Sequence, residues 1–189
     1  MKPLLCILGC SGSGKSTLVE ELEQKYLLKQ IPSYTTRLPR YPNERGHTFI
    51  SQEEFDKIRN DLVAYATTTG SEYGVTTQQI DNKIHVLYVV DLTGLKSLKE
   101  NYKGDRQIIS VFVECGIKDR YERLHKRYER QYKDYNKATT EALNRIKHDE
   151  SEFLHAKEFC DYIVKNNNGS YANAMMNLIS ICNENNLFN

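Results

Sequence analysis

The sequence predicts an α/β fold in which a parallel sheet is covered by helices on both faces. Three observations carry this. Apolar runs of strand length alternate with helix-period segments along the chain, as expected where helical crossovers join parallel strands. The runs at 4–8, 84–90 and 107–113 are almost wholly apolar, which fits strands buried on both faces. A glycine-rich loop then separates the first run from an amphipathic helix.

Taken in order, residues 4–8 form the first strand and 15–28 a helix, with Leu18, Leu22 and Tyr26 four apart on one face. The segment 33–81, with short Thr-rich and Gly-containing pieces, reads as an insertion on the sheet. Strands follow at 84–90 and 107–113, and a shorter one at 161–164. Residues 118–130 and 140–159 are predicted charged helices, separated at 131–137 by a polar stretch without apolar periodicity that reads as a mobile connection. Asn166-Asn167-Asn168-Gly169 is a turn before a last helix carrying Met175, Leu178, Ile179 and Cys182.

The 189 residues contain no repeat or linker, so 1–189 is read as one domain. Lys plus Arg number 26 and Asp plus Glu 25, and a net charge of +1 provides no overall field for a nucleic acid polymer or a membrane surface. Any anion must be held by a local cluster. The longest apolar runs are far too short to span a bilayer, and the start reads as a buried strand, not a signal peptide, because Gly9-Cys10-Ser11-Gly12 and Lys15 follow at once. Five cysteines, an odd number without Cys-x-x-Cys spacing, argue against a disulfide framework or a zinc ribbon and for reduced thiols in the cytoplasm. His148 and His155 lie seven apart without a third convergent ligand, so surface or packing roles are expected.

Gly9-Cys10-Ser11-Gly12-Ser13-Gly14-Lys15-Ser16 satisfies Gly-x-x-x-x-Gly-Lys-Ser/Thr between a strand and a helix. Glycines let the backbone wrap an anion so that successive N–H groups and the helix N-terminus, including Thr17, point at phosphates. Lys15 is then placed to bridge β- and γ-phosphate oxygens of ATP, and the Ser16 hydroxyl to ligate Mg²⁺. A second cluster, Ser33-Tyr34-Thr35-Thr36-Arg37-Leu38-Pro39-Arg40, offers two guanidiniums whose forks suit a phosphate, although a solvated basic run explains the composition equally well. Asp91 ends an apolar strand where sheet loops converge on a ligand, and it serves there as a ligand contact, as the cap of a helix beginning at Leu92, or as both.

These stretches, with Gly70-Ser71-Glu72-Tyr73-Gly74, Asp91-Leu92-Thr93-Gly94 and Glu158-Phe159-Cys160-Asp161-Tyr162-Ile163-Val164, resemble the guanylate kinases over essentially the whole chain. The resemblance implies a P-loop core for ATP, a monophosphate-binding insertion at 33–81 and an Arg-containing lid at about 127–145. It implies that Ser33, Arg37, Arg40, Tyr73 and Asp91 hold the acceptor, and that Lys15, Arg37, Arg127, Arg130 and Arg145 act on the transferring phosphoryl group. The partners it implies are ATP, with Mg²⁺, and a small phosphorylated acceptor, GMP or dGMP by default.

The sequence departs from the family where guanine is read. The family's carboxylate falls on Ala64, its hydroxyl after Tyr-Gly on Val75, and a phosphate-contacting tyrosine on Phe49. One charge-assisted bond is worth about 1.5–3 kcal/mol, so guanine preference is expected to fall by one to two orders of magnitude. Glu72, or the hydroxyls of Thr67, Thr68, Thr76 and Thr77, are candidate substitutes. Two alternatives share the scaffold: a kinase of a phosphorylated sugar such as ribose bisphosphate, and a non-catalytic interaction module, against which the intact Gly14-Lys15-Ser16 argues.

Overall fold

A computed structural model describes residues 2–188, so Met1 and Asn189 of the expected 1–189 domain lie outside the description. The main sheet contains β1 (Leu4–Leu8), β2 (Lys29–Gln30), β7 (His85–Val89), β8 (Ile108–Glu114) and β9 (Tyr162–Lys165) in the order β2-β7-β1-β8-β9. All its pairings are parallel. Every residue of β1 is buried, which explains a run without polar alternation.

Both faces are covered. On one, Leu18 and Leu22 of α1 (Lys15–Tyr26) pack with Met175 and Leu178 of α7 (Tyr171–Glu184). On the other, Leu92, Leu95 and Leu98 of α4 (Leu92–Asn101) share a core with Ala64, Val75 and Ile80. The first helix stops two residues before the expected 28. Leu27 turns left-handed, at φ 58°, and its N–H bonds to the Leu22 carbonyl, which frees Lys29 and Gln30 to join β7 as an edge strand.

Between β2 and β7 a second sheet forms from β3 (Ser33–Thr35), β4 (His47–Phe49), β5 (Leu62–Thr68) and β6 (Ser71–Thr76), in the order β4-β3-β6-β5. Its hairpin turns at Thr69 and Gly70, whose φ values of 50° and 76° suit the twist of a two-residue connection. Helix α2 (Gln52–Ile58) starts on a reciprocal Ser51–Glu54 cap, and α3 (Thr77–Asp81) on a Thr76–Gln79 cap.

The region after β8 differs from expectation. Helices α5 (Ile117–Tyr132) and α6 (Tyr135–Glu152) meet through a break of two residues, so the stretch 131–137 is largely helical. Lys133 is left-handed and Asp134 caps α6, accepting from the Lys137 N–H at 3.0 Å. Residues 140–159 are not one helix either. Phe153 leaves α6 to pack on Phe112, and a 3-10 turn at Ala156–Phe159 follows. No helix among the described residues is long and apolar enough to cross a membrane.

Arg106 fastens these parts together. It is buried, and its guanidinium donates to the carbonyls of Lys2 (2.9 Å), Pro3 (3.2 Å), Ile80 (2.5 Å) and His85 (2.6 Å). Arg106→Met leaves these acceptors without a donor at about 1–3 kcal/mol each, so a loss of roughly 3 kcal/mol or more is expected by urea unfolding. Lys103→Met at an exposed site should stay within about 0.5 kcal/mol.

Candidate functional site

The loop at 9–14 leaves the buried β1 and enters α1. At Gly9, φ 151°, a Cβ would lie 2.5 Å from the Val113 carbonyl oxygen, and at Gly14, φ 90°, it would meet the Asn166 amide. Only glycine allows the chain this tightness. Ser13 is buried, whereas Ser16 and Thr17 are exposed on the first turn of α1. Lys15 folds back over the loop, its Nζ donating to the Gly9 carbonyl at 2.5 Å and lying 3.3 Å from that of Cys10. Burial pulls its pKa down to about 8, against the opposing pull of Asp149.

Asp149 of α6 is fully buried against this loop. One oxygen accepts from the Ser11 N–H and from Arg120 Nη2 at 3.1 Å; the other lies 3.0 Å from Arg145 Nε. Arg145 also donates to Ser11 Oγ at 2.6 Å. Arg120 Nε reaches the Ser11 carbonyl, Arg123 the Gly12 carbonyl, each at 3.1 Å, and Asn166 Nδ2 the Ser13 carbonyl at 2.7 Å. Side chains from α5, α6 and the segment after β9 therefore grip the backbone of the loop. Sequence reasoning missed Asp149 and Arg120, read Asn166 only as part of a turn, and gave Arg123 no role beyond the charged helix at 118–130. Asp149 had a signal: it continues the buried stripe Ala138, Ala142, Ile146, where an acid is out of place unless paired.

Of the expected lid arginines, Arg145 meets the loop. Arg127 is exposed beside the Tyr128 ring, 4.9 Å from its centroid, with its charge felt at Lys15 and Arg40. Arg130 is exposed on the last turn of α5.

Across the cleft, the second sheet gathers Ser33, Arg37 and Tyr73. Arg37 Nε donates to Tyr73 Oη at 3.2 Å and its fork holds Glu44 at 2.9 and 3.1 Å. Glu44 also accepts the Arg40 N–H at 2.6 Å and lies 3.6 Å from the Arg40 guanidinium. Phe49 lies under Arg37, 5.3 Å from ring centroid to guanidinium carbon. The side chain beside Ser33 and Tyr73 is instead His47, whose Nδ1 is 2.8 Å from Ser33 Oγ and whose ring meets Tyr73 edge-on at 5.7 Å. Glu44 and His47 were not singled out from sequence, because they come together only when β4 pairs with β3, Ser33 opposite His47.

Ser33, His47 and Tyr73 line one cleft with Gly9, Ser11 and Lys15 of the phosphate loop and with Arg145; Arg37 stands behind that wall, bonded to Tyr73. Asp91 lines the cleft and caps α4: Oδ1 accepts the Gly94 N–H at 2.7 Å, and Oδ2 accepts from Thr68 Oγ1 at 3.2 Å within the lining. Glu152 joins the lining, its pKa pushed up by burial and then by the Asp91 charge. Ala64 and Val75 pair across β5 and β6 inside the apolar core, while Ala66 and Tyr88 reach the cleft.

The suggested substitutes fare unequally. Glu72 faces away, held by Arg59 at 2.7 and 2.9 Å and by Tyr65 Oη at 2.5 Å, and Arg59 draws its pKa down to about 2. Thr76 caps α3, Thr77 begins it, and exposed Thr67 bonds to Tyr65, so only Thr68 of the four hydroxyls lines the cleft. His148 does find neighbours in Asp149 and Glu152, at 3.8 and 3.5 Å, but Asp149 already serves two guanidiniums.

Residues 1–181 match the guanylate kinase family. The chain is 38% identical to a guanylate kinase of Clostridium tetani over 53% of its own length, and this match spans about half, 52%, of that relative. It is 30% identical to the guanylate kinase of Blochmanniella floridana over 86% of this chain and 78% of the relative. In structure it resembles guanylate kinase from Anaplasma phagocytophilum, with a TM-score of 0.65 at 19% identity, covering 97% of this chain and 86% of the other.

The buried Arg120–Asp149 pair is open to test without any ligand. Asp149→Ala strands a guanidinium that is itself buried, so stability should fall by about 3–5 kcal/mol in urea unfolding. Glu152→Ala, at a partly exposed acid with no guanidinium bonded to it, should cost clearly less.

Proposed function

The chain belongs to the guanylate kinase family and is an ATP-dependent nucleoside monophosphate kinase, and we propose that its acceptor is GMP or dGMP with guanine discrimination weaker than the fold is built to give. One observation carries the reading. Ser33 and Tyr73, the latter bonded to Arg37, line the same cleft as Gly9, Ser11 and Lys15, which supports a donor phosphate on the loop and an acceptor phosphate opposite it.

In this reading the backbone of 9–17 and Lys15 hold the ATP phosphates, with the Lys15 ammonium leaving its two carbonyl partners for phosphate oxygens. Arg37, Arg40, Tyr73 and Ser33 hold the acceptor phosphate, and Asp91 with Thr68 faces its base. The attacking group is already an anion, so no strong general base is needed; the arginines and Lys15 align the two phosphates and neutralise charge as it moves. Arg145 contributes from α6, where it touches the loop at Ser11, and Arg127 and Arg130 from α5 of the same hairpin. The Ser16 hydroxyl, exposed at the start of α1, is a hard oxygen donor of the kind Mg²⁺ accepts beside waters and phosphates, and Asp91 can hold one of those waters. Bound there, the ion neutralises phosphate charge. Apposition of the 33–81 region and the 127–145 hairpin excludes water that would otherwise hydrolyse ATP. Five free thiols support a reducing, cytoplasmic setting.

Base reading rests on Asp91 and Thr68, with apolar Ala64 and Val75 in the core behind them. Steady-state assays of ATP consumption with GMP, dGMP, AMP, UMP and ribose bisphosphate test this. We expect turnover with GMP and dGMP, and a kcat/KM preference over AMP reduced by about 10–100-fold from what a full set of charge-assisted contacts gives. Turnover of the sugar phosphate alone, or of nothing, would overturn the reading.

Lys15→Ala should lower kcat by orders of magnitude in a folded protein. Its pKa supplies a second readout. The free ammonium loses its proton above about 8, whereas bound phosphate holds that proton on, so ATP affinity should be flat below pH 8 and weaken above it by up to about tenfold per pH unit. Equilibrium binding of ATP by calorimetry from pH 7 to 9.5 measures this, and Lys15→Ala should lack the slope.

A further inference from the structure

His47 lies among the groups that hold the acceptor phosphate, and nothing in the reaction as described above uses it. Its Nδ1 is engaged by Ser33 Oγ at 2.8 Å, which leaves Nε2 as the ring nitrogen for an incoming oxygen. The ring is fixed on three sides, by Ser33 on β3, by Tyr73 on β6 and by Phe49 two residues on. It lines both the main cleft and the adjoining depression that contains Arg40, Glu44 and Ser16. We propose that His47 is a further phosphate-binding group of the acceptor site and that it takes up a proton as a dianionic monophosphate binds.

The electrostatics of the site favour that uptake. Arg37 and Arg40 of the connecting loop face the ring with positive charge, while Glu44 of the same loop offsets them. Tyr73 presents its phenol ring from β6, and Glu20 and Glu23 of α1 with Arg45 border the outer depression. Burial first, and then Arg37, push the imidazole down to about 4, so it is neutral in the free protein at ordinary pH. A phosphate monoester brings close to two negative charges into contact with the arginines. It thereby offsets the arginine charge that opposes a proton on the ring and sets an anion beside that ring to repay the cost of its burial. Ser33 Oγ can accept from a protonated Nδ1 as readily as it donates to a neutral one, so the change needs no rearrangement of the strands.

The inference rests on the acceptor site proposed above and can fail separately from it. Wild-type protein labelled at histidine is titrated by NMR with and without saturating GMP, and again with guanosine, which has the base but no phosphate. With GMP the His47 pKa should rise from near 4 to about 7.5, and with guanosine it should not move. His47→Asn, whose amide can still bond Ser33, should raise the KM for GMP about tenfold at pH 6.5 and less at pH 8, with kcat changed far less than KM. If GMP binds, as the shifts of other residues report, but His47 stays near 4, the inference falls and the acceptor site stands. If GMP does not bind at all, both fall.

Discussion

The bond between the Asp149 carboxylate and the phosphate loop sets the arrangement of everything around it. A loop shaped to wrap phosphate must point its own N–H groups inward, and in a buried setting such donors are costly unless something accepts from them. Asp149 accepts from Ser11, and its fully buried carboxylate is paired with Arg120 and Arg145. Those two bring α5 and α6 down onto the loop, and Arg123 and Asn166 complete the grip from above Gly12 and Ser13. The helical hairpin is thus located by ion pairs as much as by its small apolar seam of Leu124, Ala142 and Ile146.

The other half of the cleft is located differently. The second sheet is joined to the main one through apolar packing of Val63, Ala64, Val75 and Ile80, and through Ser97 of α4, which bonds the Tyr65 N–H and the Val63 carbonyl. The helix that Asp91 caps is therefore the helix on which β5 rests. A change at Asp91 would be felt both at the cleft wall and in the seating of the sheet that bears Arg37 and Tyr73.

How far the molecule was legible in advance follows from the range of the forces. The strands β1, β7 and β8 were readable within a residue or two, because burial on both faces leaves a continuous apolar run. The loop at 9–16 was readable because spacing alone specifies it. The two-residue break at Lys133 and Asp134 was not, since exposed helix at the tip of a hairpin is as polar as a loop. Whether Phe49 or His47 meets the phenol of Tyr73 was not legible either, because two residues on one strand share a face and only the register with Ser33 shows that it is His47. Glu72 failed as a base reader for the complementary reason: next to Tyr73 on a strand, it had to point to the opposite face.

Glu44 has a bearing on which anions the cleft admits. Because it occupies the fork of Arg37 and the backbone N–H of Arg40, these arginines are not a bare positive patch open to any passing counter-ion. A newcomer has to outbid a tethered carboxylate that is present at high effective concentration. Chloride, or a metabolite bearing one carboxylate, offers no more charge and fewer or equal acceptors, so it gains little by the exchange. A phosphate monoester offers nearly twice the charge and three oxygens. For the acceptor site proposed above, the tether would thus act as a valence filter against small monovalent anions.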